Sequence, residues 1–481
     1  MADDPSRHAR RVTSTPGRPF VRKPVVWKSG VQKSVAQYAV AFLCGCLVVL
    51  GVFVAGRFLL TGITVPSATD VLSAEATPRA EGADSDVPTL SSRADNPAAA
   101  RFDVARDLLR RQSAALRGKD RSAYLATIDP RSPDYAKVAA RTFDNLVRMG
   151  AHGFRFGAPA EDPGALTPER RRALGTTAWV AEVDTTFTLA GADREPWTAT
   201  LRMVFVERNG RTYVAGDREG ESSSGPTPLW LTNQVTVVRG EHSLLIGVES
   251  RTRLERYANA ADQAVPRVTR VWGDDWTQYV VVIAPSTQVQ MERVVGVDAE
   301  SQGAVAAVTT SVGRASPAEA SHIVINPATF DKIGSLGRLV VLTHETTHVA
   351  AQATVSHMPV WLSEGFADYV GFNEAGLSTA VVAQEFLSEV RDSDAPRDLP
   401  STSDFDPRAA ELDQAYEAAW TACSYIAQEW GEDKLVDFYQ AMDDLRTKAD
   451  EELAFRTVLN TTREKFVAGW RNHVQVTSIG G

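Results

Sequence analysis

Three of the chain's eight histidines and three acidic residues stand between residues 342 and 370, in LTHETTHVAAQATVSHMPVWLSEGFADYV. His344 and His348 are four positions apart in a run whose apolar residues (Leu339, Val340, Leu342, Val349, Ala350) fall at helical spacing. On a helix such a pair shares one face, with Cβ atoms about 5–6 Å apart, so the two imidazoles can grip a single zinc ion. Glu345 is turned one position round the helix, which suits a base acting on water beside the metal rather than a ligand. A hydrolytic zinc site also needs a third protein ligand and an open fourth position. Glu364 offers that carboxylate on a second predicted helix, WLSEGFADYV, and Asp368 follows four residues later on the same face. Asp368 is thereby placed to accept the spare N–H of a ligand histidine and so to fix its tautomer and ring orientation.

His344-Glu345-x-x-His348 followed by Glu364 and Asp368 resembles the gluzincin metallopeptidases, the thermolysin and M1-aminopeptidase-like group, over roughly residues 235 to 445. The gap of fifteen residues between His348 and Glu364 is shorter than in the best-known members and similar to bacterial families with a WL-x-EG-x-A segment. The resemblance implies zinc held by His344, His348 and Glu364, with Glu345 as general base and acid in peptide-bond hydrolysis. The segment AYEAAWTACSYIAQEWG is similar to the helix that carries the catalytic tyrosine of M1-type enzymes, which implies Tyr416 as donor to the developing oxyanion. Ala418 and Ala419 stand where that family often has Lys-Gly, and a core tyrosine is the competing assignment; Tyr369 and His357 come next as donors. No counterpart appears of the acidic strand motif that grips a substrate's free amine. SQGAVAAVTT occupies that place with backbone alone, which favours an edge strand pairing with an extended peptide and an endopeptidase over an aminopeptidase.

Two further residues invite chemistry and read more plainly as structure. His357, in the loop SHMPV, is expected to be a rim or capping residue. Cys423 has no activating base beside it and is expected to be a buried apolar side chain.

The elements that must carry these residues follow from periodicity. RFDVARDLLRRQSAALRGKDRSAYLATID, with Val104, Leu108, Leu109, Ala115 and Leu116 at helical spacing, and YAKVAARTFDNLVRMG predict helices. TTAWVAEVDTTFTLA, WTATLRMVFVERNG and RTYVAGD alternate apolar and polar residues and predict strands, the last two joined at Asn209-Gly210. Helices followed by an antiparallel sheet resemble an NTF2-like α+β domain over 101–225, expected to act as a spacer or protein contact. Further strands in NQVTVVRGEHSLLIG, QYVVVIAP and SHIVINP, the helix SRTRLERYANAADQAVPRVTRVWG, the two motif helices and a helical remainder compose a mixed domain over 226–481, also α+β. With 43% apolar residues in 481, two or three domains with their own cores are expected.

Residues 34 to 56, SVAQYAVAFLCGCLVVLGVFVAG, carry no charge and are long enough to cross a hydrocarbon core of about 30 Å. They exceed the apolar core of about 7–15 residues in a cleaved signal sequence, so a transmembrane helix over 35–57 is expected. Residues 1–34 hold eight Lys or Arg against two Asp, which predicts a cytoplasmic basic tail and an extracytoplasmic remainder at the plasma membrane. With about +6 on that tail and a net −9 for the whole chain, roughly −15 falls on the rest, a balance that argues against nucleic acid as a partner. Residues 58–100 are rich in Ala, Pro, Ser and Asp and predict a disordered linker. The expected protein is a single-pass, bilayer-anchored zinc metallopeptidase acting on peptide or protein substrates. The competing class is a non-catalytic outer-surface interaction protein with a structural zinc, for which Glu345 would have no use.

Overall fold

The first helix, Pro97–Arg117 (α1), buries Ala105, Leu108, Leu109, Gln112 and Leu116 along one stripe. Val104, expected within that stripe, is 47% exposed, because the helix turns its inward face one position further on. The structure, a computed structural model, describes residues 97–162, 166–189, 191–194, 196–217, 226–296, 306–311, 321–356, 358–406, 409–443 and 448–480. The expected cytoplasmic tail, membrane helix and nearly all of the linker lie outside the described residues, as do His357 and the expected domain boundary at 225. Among the described residues no helix is long and apolar enough to cross a membrane.

The chain is mixed helix and sheet, an α+β protein, with two sheets of five strands each. After α1 comes Pro133–Met149 (α2), with proline in its first turn and Gly150 closing it at φ 81°. The strands Ala151–Phe156 (β1), Ala160–Glu161 (β2), Trp179–Leu189 (β3), Trp197–Arg208 (β4) and Arg211–Gly216 (β5) form the first sheet, all antiparallel, in the order β1-β3-β4-β5 with β2 also on β3. Asn209 and Gly210 make the expected hairpin with φ 51° and 74°, the left-handed pair that a tight two-residue turn needs. The alternation of AHGFRF is too irregular to announce β1: its register slips between His152 and Arg155, around Gly153 at φ 63°.

The second sheet runs β6-β7-β8-β10-β9, from Thr236–Arg239 (β6), Ser243–Gly247 (β7), Val280–Ala284 (β8), Ala307–Ser311 (β9) and Ser321–Ile325 (β10). β7, β8 and β10 are parallel and buried on both faces; β9 is antiparallel to β10 and forms an edge. Arg251–Trp272 (α3), Ser335–Ala350 (α4) and Val360–Asn373 (α5) pack together, and Gln384–Asp392 (α6), Leu412–Trp430 (α7), Glu432–Asp443 (α8), Lys448–Val458 (α9) and Arg463–Gly480 (α10) complete the helical remainder.

The two sheets share one main core, and a smaller cluster of Leu174, Ala178, Val180, Val204, Val206 and Ala215 lies apart from it on the first sheet. One hydrophobic cluster runs from Ala105 to Val474, because the short helix Leu229–Thr232 inserts Trp230 against Phe187 and Trp197 of the first sheet. Beside it the fully buried Asn145 donates to the carbonyls of Trp230 and Asn233 and accepts from the Val235 amide. A second tie joins His322 on β10 to Asp193, beyond the end of β3, with Nε2 and Oδ1 3.0 Å apart.

Candidate metal centre

The run Gly337 to His348 is buried over almost its whole length, since α4 is wedged between α3, α5 and the β9–β10 end of the second sheet. A helix hydrophobic on nearly every side belongs inside a core, so the polar groups it carries must find partners there. His344, His348 and Glu345 are 1–2% exposed. α5 is equally enclosed and brings in Glu364 and Asp368, 1% and 3% exposed. Its close approach to α7 depends on Gly365: a Cβ there would stand 2.4 Å from the Ala419 carbonyl oxygen. The small pair Gly365 and Ala419 thus brings the Glu364 helix against the Tyr416 helix.

His344 Nε2 and His348 Nε2 are 2.9 Å apart, and Glu364 Oε2 lies 3.4 Å from the first and 3.6 Å from the second. A tetrahedral ion with bonds of about 2.0–2.1 Å separates its ligand atoms by about 3.3–3.4 Å, and these three separations bracket that value. Among the described residues, neither Glu364 oxygen, nor His348 Nδ1, has a hydrogen-bond partner. A buried carboxylate without a donor is costly, and a cation at the point where the three atoms converge would satisfy it. These residues form a buried group able to hold a metal ion.

The electrostatics agree. Burial opposes charge on His344, but the Asp368 carboxylate, followed by Glu364 and Glu345, outweighs it and pushes the imidazole up to about 10. Burial likewise opposes charge on Glu364, yet the two histidines hold it down to about 2. The same carboxylates favour a cation at this point, and a metal that binds there displaces the His344 proton. Asp368 Oδ1 is 2.9 Å from His344 Nδ1, so an Nδ1–H donated to the carboxylate leaves the Nε2 lone pair directed at the other two ligand atoms.

Glu345 stands outside the ligand group. Its Oε2 accepts from Thr309 Oγ1 at 2.6 Å, across from β9, and its pKa is raised, burial outweighing the attraction of His344 and His348. Tyr416 is 1% exposed, packed edge-on against Phe405 with ring centroids 5.1 Å apart. Its hydroxyl is pushed well above the phenol range by burial and then by the charges of Glu364, Asp368 and Glu345, so it belongs to the same neighbourhood.

His344, Glu345, His348, Glu364, Asp368 and Tyr416 are therefore brought together. Tyr369 is not: its hydroxyl donates to Glu432 at 2.9 Å, at the start of α8. Cys423 is fully buried, as expected, and burial raises its thiol pKa. Sequence reading missed Thr309, which lies in a strand 36 positions before Glu345 with no spacing rule to connect them. The sequence matches no protein-family model and no curated protein.

Proposed function

We propose that the chain is a zinc-dependent metallopeptidase of gluzincin type, anchored in the plasma membrane by residues 35–57 with its catalytic part outside, and carrying an NTF2-like domain ahead of it. The observation that carries this reading is the separation of roles at the centre: three converging ligand atoms, and beside them an ionisable group outside that set, Glu345, hydrogen-bonded to Thr309. A set of two imidazoles and one carboxylate suits zinc with an open position. Zinc bound there supplies Lewis acidity, polarising a carbonyl and making water nucleophilic near neutral pH.

The chain's own residues supply the rest. Asp368 keeps the His344 proton on Nδ1, which frees Nε2 for the metal. Glu345, with its raised affinity for protons, accepts one from the attacking water at its carboxylate and returns it to the leaving amine. Tyr416 keeps its proton at any working pH and so remains a hydrogen-bond donor to the oxygen that gains charge. Among the described residues β9 has no strand on its outer side, and backbone groups there would suit an extended peptide, which supports a protein or peptide as substrate.

The near-complete burial of the ligand residues favours the rival, a structural zinc in an interaction protein, and the two readings separate on one residue. Glu345→Gln in the full chain, purified in detergent, should keep one zinc per chain and lose about 10²–10⁴-fold in peptide hydrolysis. Undiminished hydrolysis in that variant defeats the peptidase reading.

A further inference from the structure

The hydroxyl of Thr309 carries a single hydrogen and faces two acceptors, Glu345 Oε2 at 2.6 Å and the Glu345 carbonyl at 3.1 Å. The carboxylate is the nearer and the charged one, so the hydrogen goes to Oε2. Both residues are buried, 4% and 2% exposed, and the bond is made away from bulk water. Among the described residues, no other side chain is hydrogen-bonded to Glu345.

The donor is also held rigidly. A β-branched side chain has little freedom at χ1, and Thr309 is the middle residue of β9, paired with Ile323 on β10. Its neighbours on the strand point to the opposite face of the sheet. There Thr310 pairs with His322, which is tied to Asp193 of the first region. β9 is thus held by α4 on one face and by its pairing with β10, which is itself tied to the first region through His322.

Building on the peptidase reading, we infer that Thr309 is the positioning residue of Glu345: it engages Oε2, and thereby presents Oε1 to the proton being transferred. The donor stands on the edge strand that an extended substrate would pair with, so the group that orders the base belongs to the surface that receives the peptide. The loss on removing the hydroxyl falls on kcat rather than KM, because Thr309 acts through Glu345.

Thr309→Val keeps the shape and removes the donor; Thr309→Ser keeps the donor. Both, with Glu345→Gln and the Thr309→Val/Glu345→Gln double variant, are measured as full chains for zinc content, for kcat and KM on an unstructured peptide, and for calorimetric affinity toward a peptide hydroxamate. Thr309→Val should keep its zinc, lose about 10–100-fold in kcat with KM little changed, and weaken hydroxamate binding, while Thr309→Ser stays close to wild type. In the Glu345→Gln background Thr309→Val should have no further effect on hydroxamate affinity. Equal losses in the serine and valine variants, or an unchanged effect of Thr309→Val without Glu345, overturn the inference. If Glu345→Gln hydrolyses peptides like wild type while the hydroxamate cycle still couples the two residues, the peptidase reading falls and the orienting bond stands.

Discussion

Asp129 in the first region and Glu364 in the second are each 1% exposed, yet their surroundings are opposite. Asp129 is completed by its own chain. Oδ1 accepts from the Arg131 amide and Arg208 Nε, and Oδ2 from Ser132 Oγ and Arg208 Nη2 at 3.0 and 2.9 Å. These donors, led by Arg208, overcome the effect of burial and hold its pKa below the usual carboxylate range. Glu364 has two histidines beyond 3.3 Å and, among the described residues, a hydrogen bond to neither oxygen. A buried charge is tolerated when its lone pairs are filled. The first region therefore uses a buried carboxylate to join its elements, whereas the second leaves one open toward a point where two imidazoles also aim.

The largest effect should come from deleting each carboxylate and comparing the response to zinc. Asp129→Ala strands Arg208 and should cost about 3–5 kcal/mol of stability whether or not zinc is present. Zinc at about a thousand times its dissociation constant should stabilise the wild type by about 4 kcal/mol, and Glu364→Ala should show no such response. Denaturant melts with and without zinc decide this; a zinc response retained in Glu364→Ala would erase the contrast.

A smaller effect tests whether Tyr416 belongs with the open group or with the core around Phe405. Tyr416→Phe should keep zinc and fold while losing about 10²–10³ in kcat. Near-wild-type turnover would return it to the core, where its contact with Phe405 already has a use.

The last comparison concerns Glu417, which falls between the two cases. Its Oε2 accepts from the Phe386 amide at 2.7 Å, but among the described residues no cation accompanies it, and burial, aided by Glu385 and Asp413, pushes its pKa up to about 8. The folded chain thus holds a proton here that the unfolded chain releases. Its contribution to stability is whole below the ordinary carboxylate range and is lost as pH rises through about 8, by at most about 1.4 kcal/mol per pH unit. Asp129, with its lowered pKa, does the reverse and loses its contribution in acid. Glu417→Gln should flatten the decline between pH 5 and 8 in a zinc-free His344→Ala background, read by chemical denaturation; an unchanged slope would mean that Glu417 is charged inside the fold.

Much of the centre was legible because it is local. His344 and His348 are one helical turn apart and Glu364 and Asp368 are another, so 3.6-residue geometry alone put each pair on one face. The strands around Asn209-Gly210 and the buried runs VVVIA and SHIVI were legible for the same reason, as were the limits of α7 at Gly431. β1 was hidden by its bulge, and the short helix Gln288–Val295 by a stretch too brief for its period to register.

What remained belongs to distance along the chain. The ligand types, their order and the periodic elements that bear them could be read along the chain, because those depend on neighbours a few residues away. That the pairs on α4 and α5 converge to within 3.6 Å, that Thr309 rather than any nearby residue holds Glu345, and that Tyr369 turns away to Glu432 came from the packed fold alone. It also decided that the two sheets share one main core through Trp230 and Asn145. Each of these rests on contacts between segments tens of residues apart, where packing volume and the demand that every buried polar group find a partner select the neighbour.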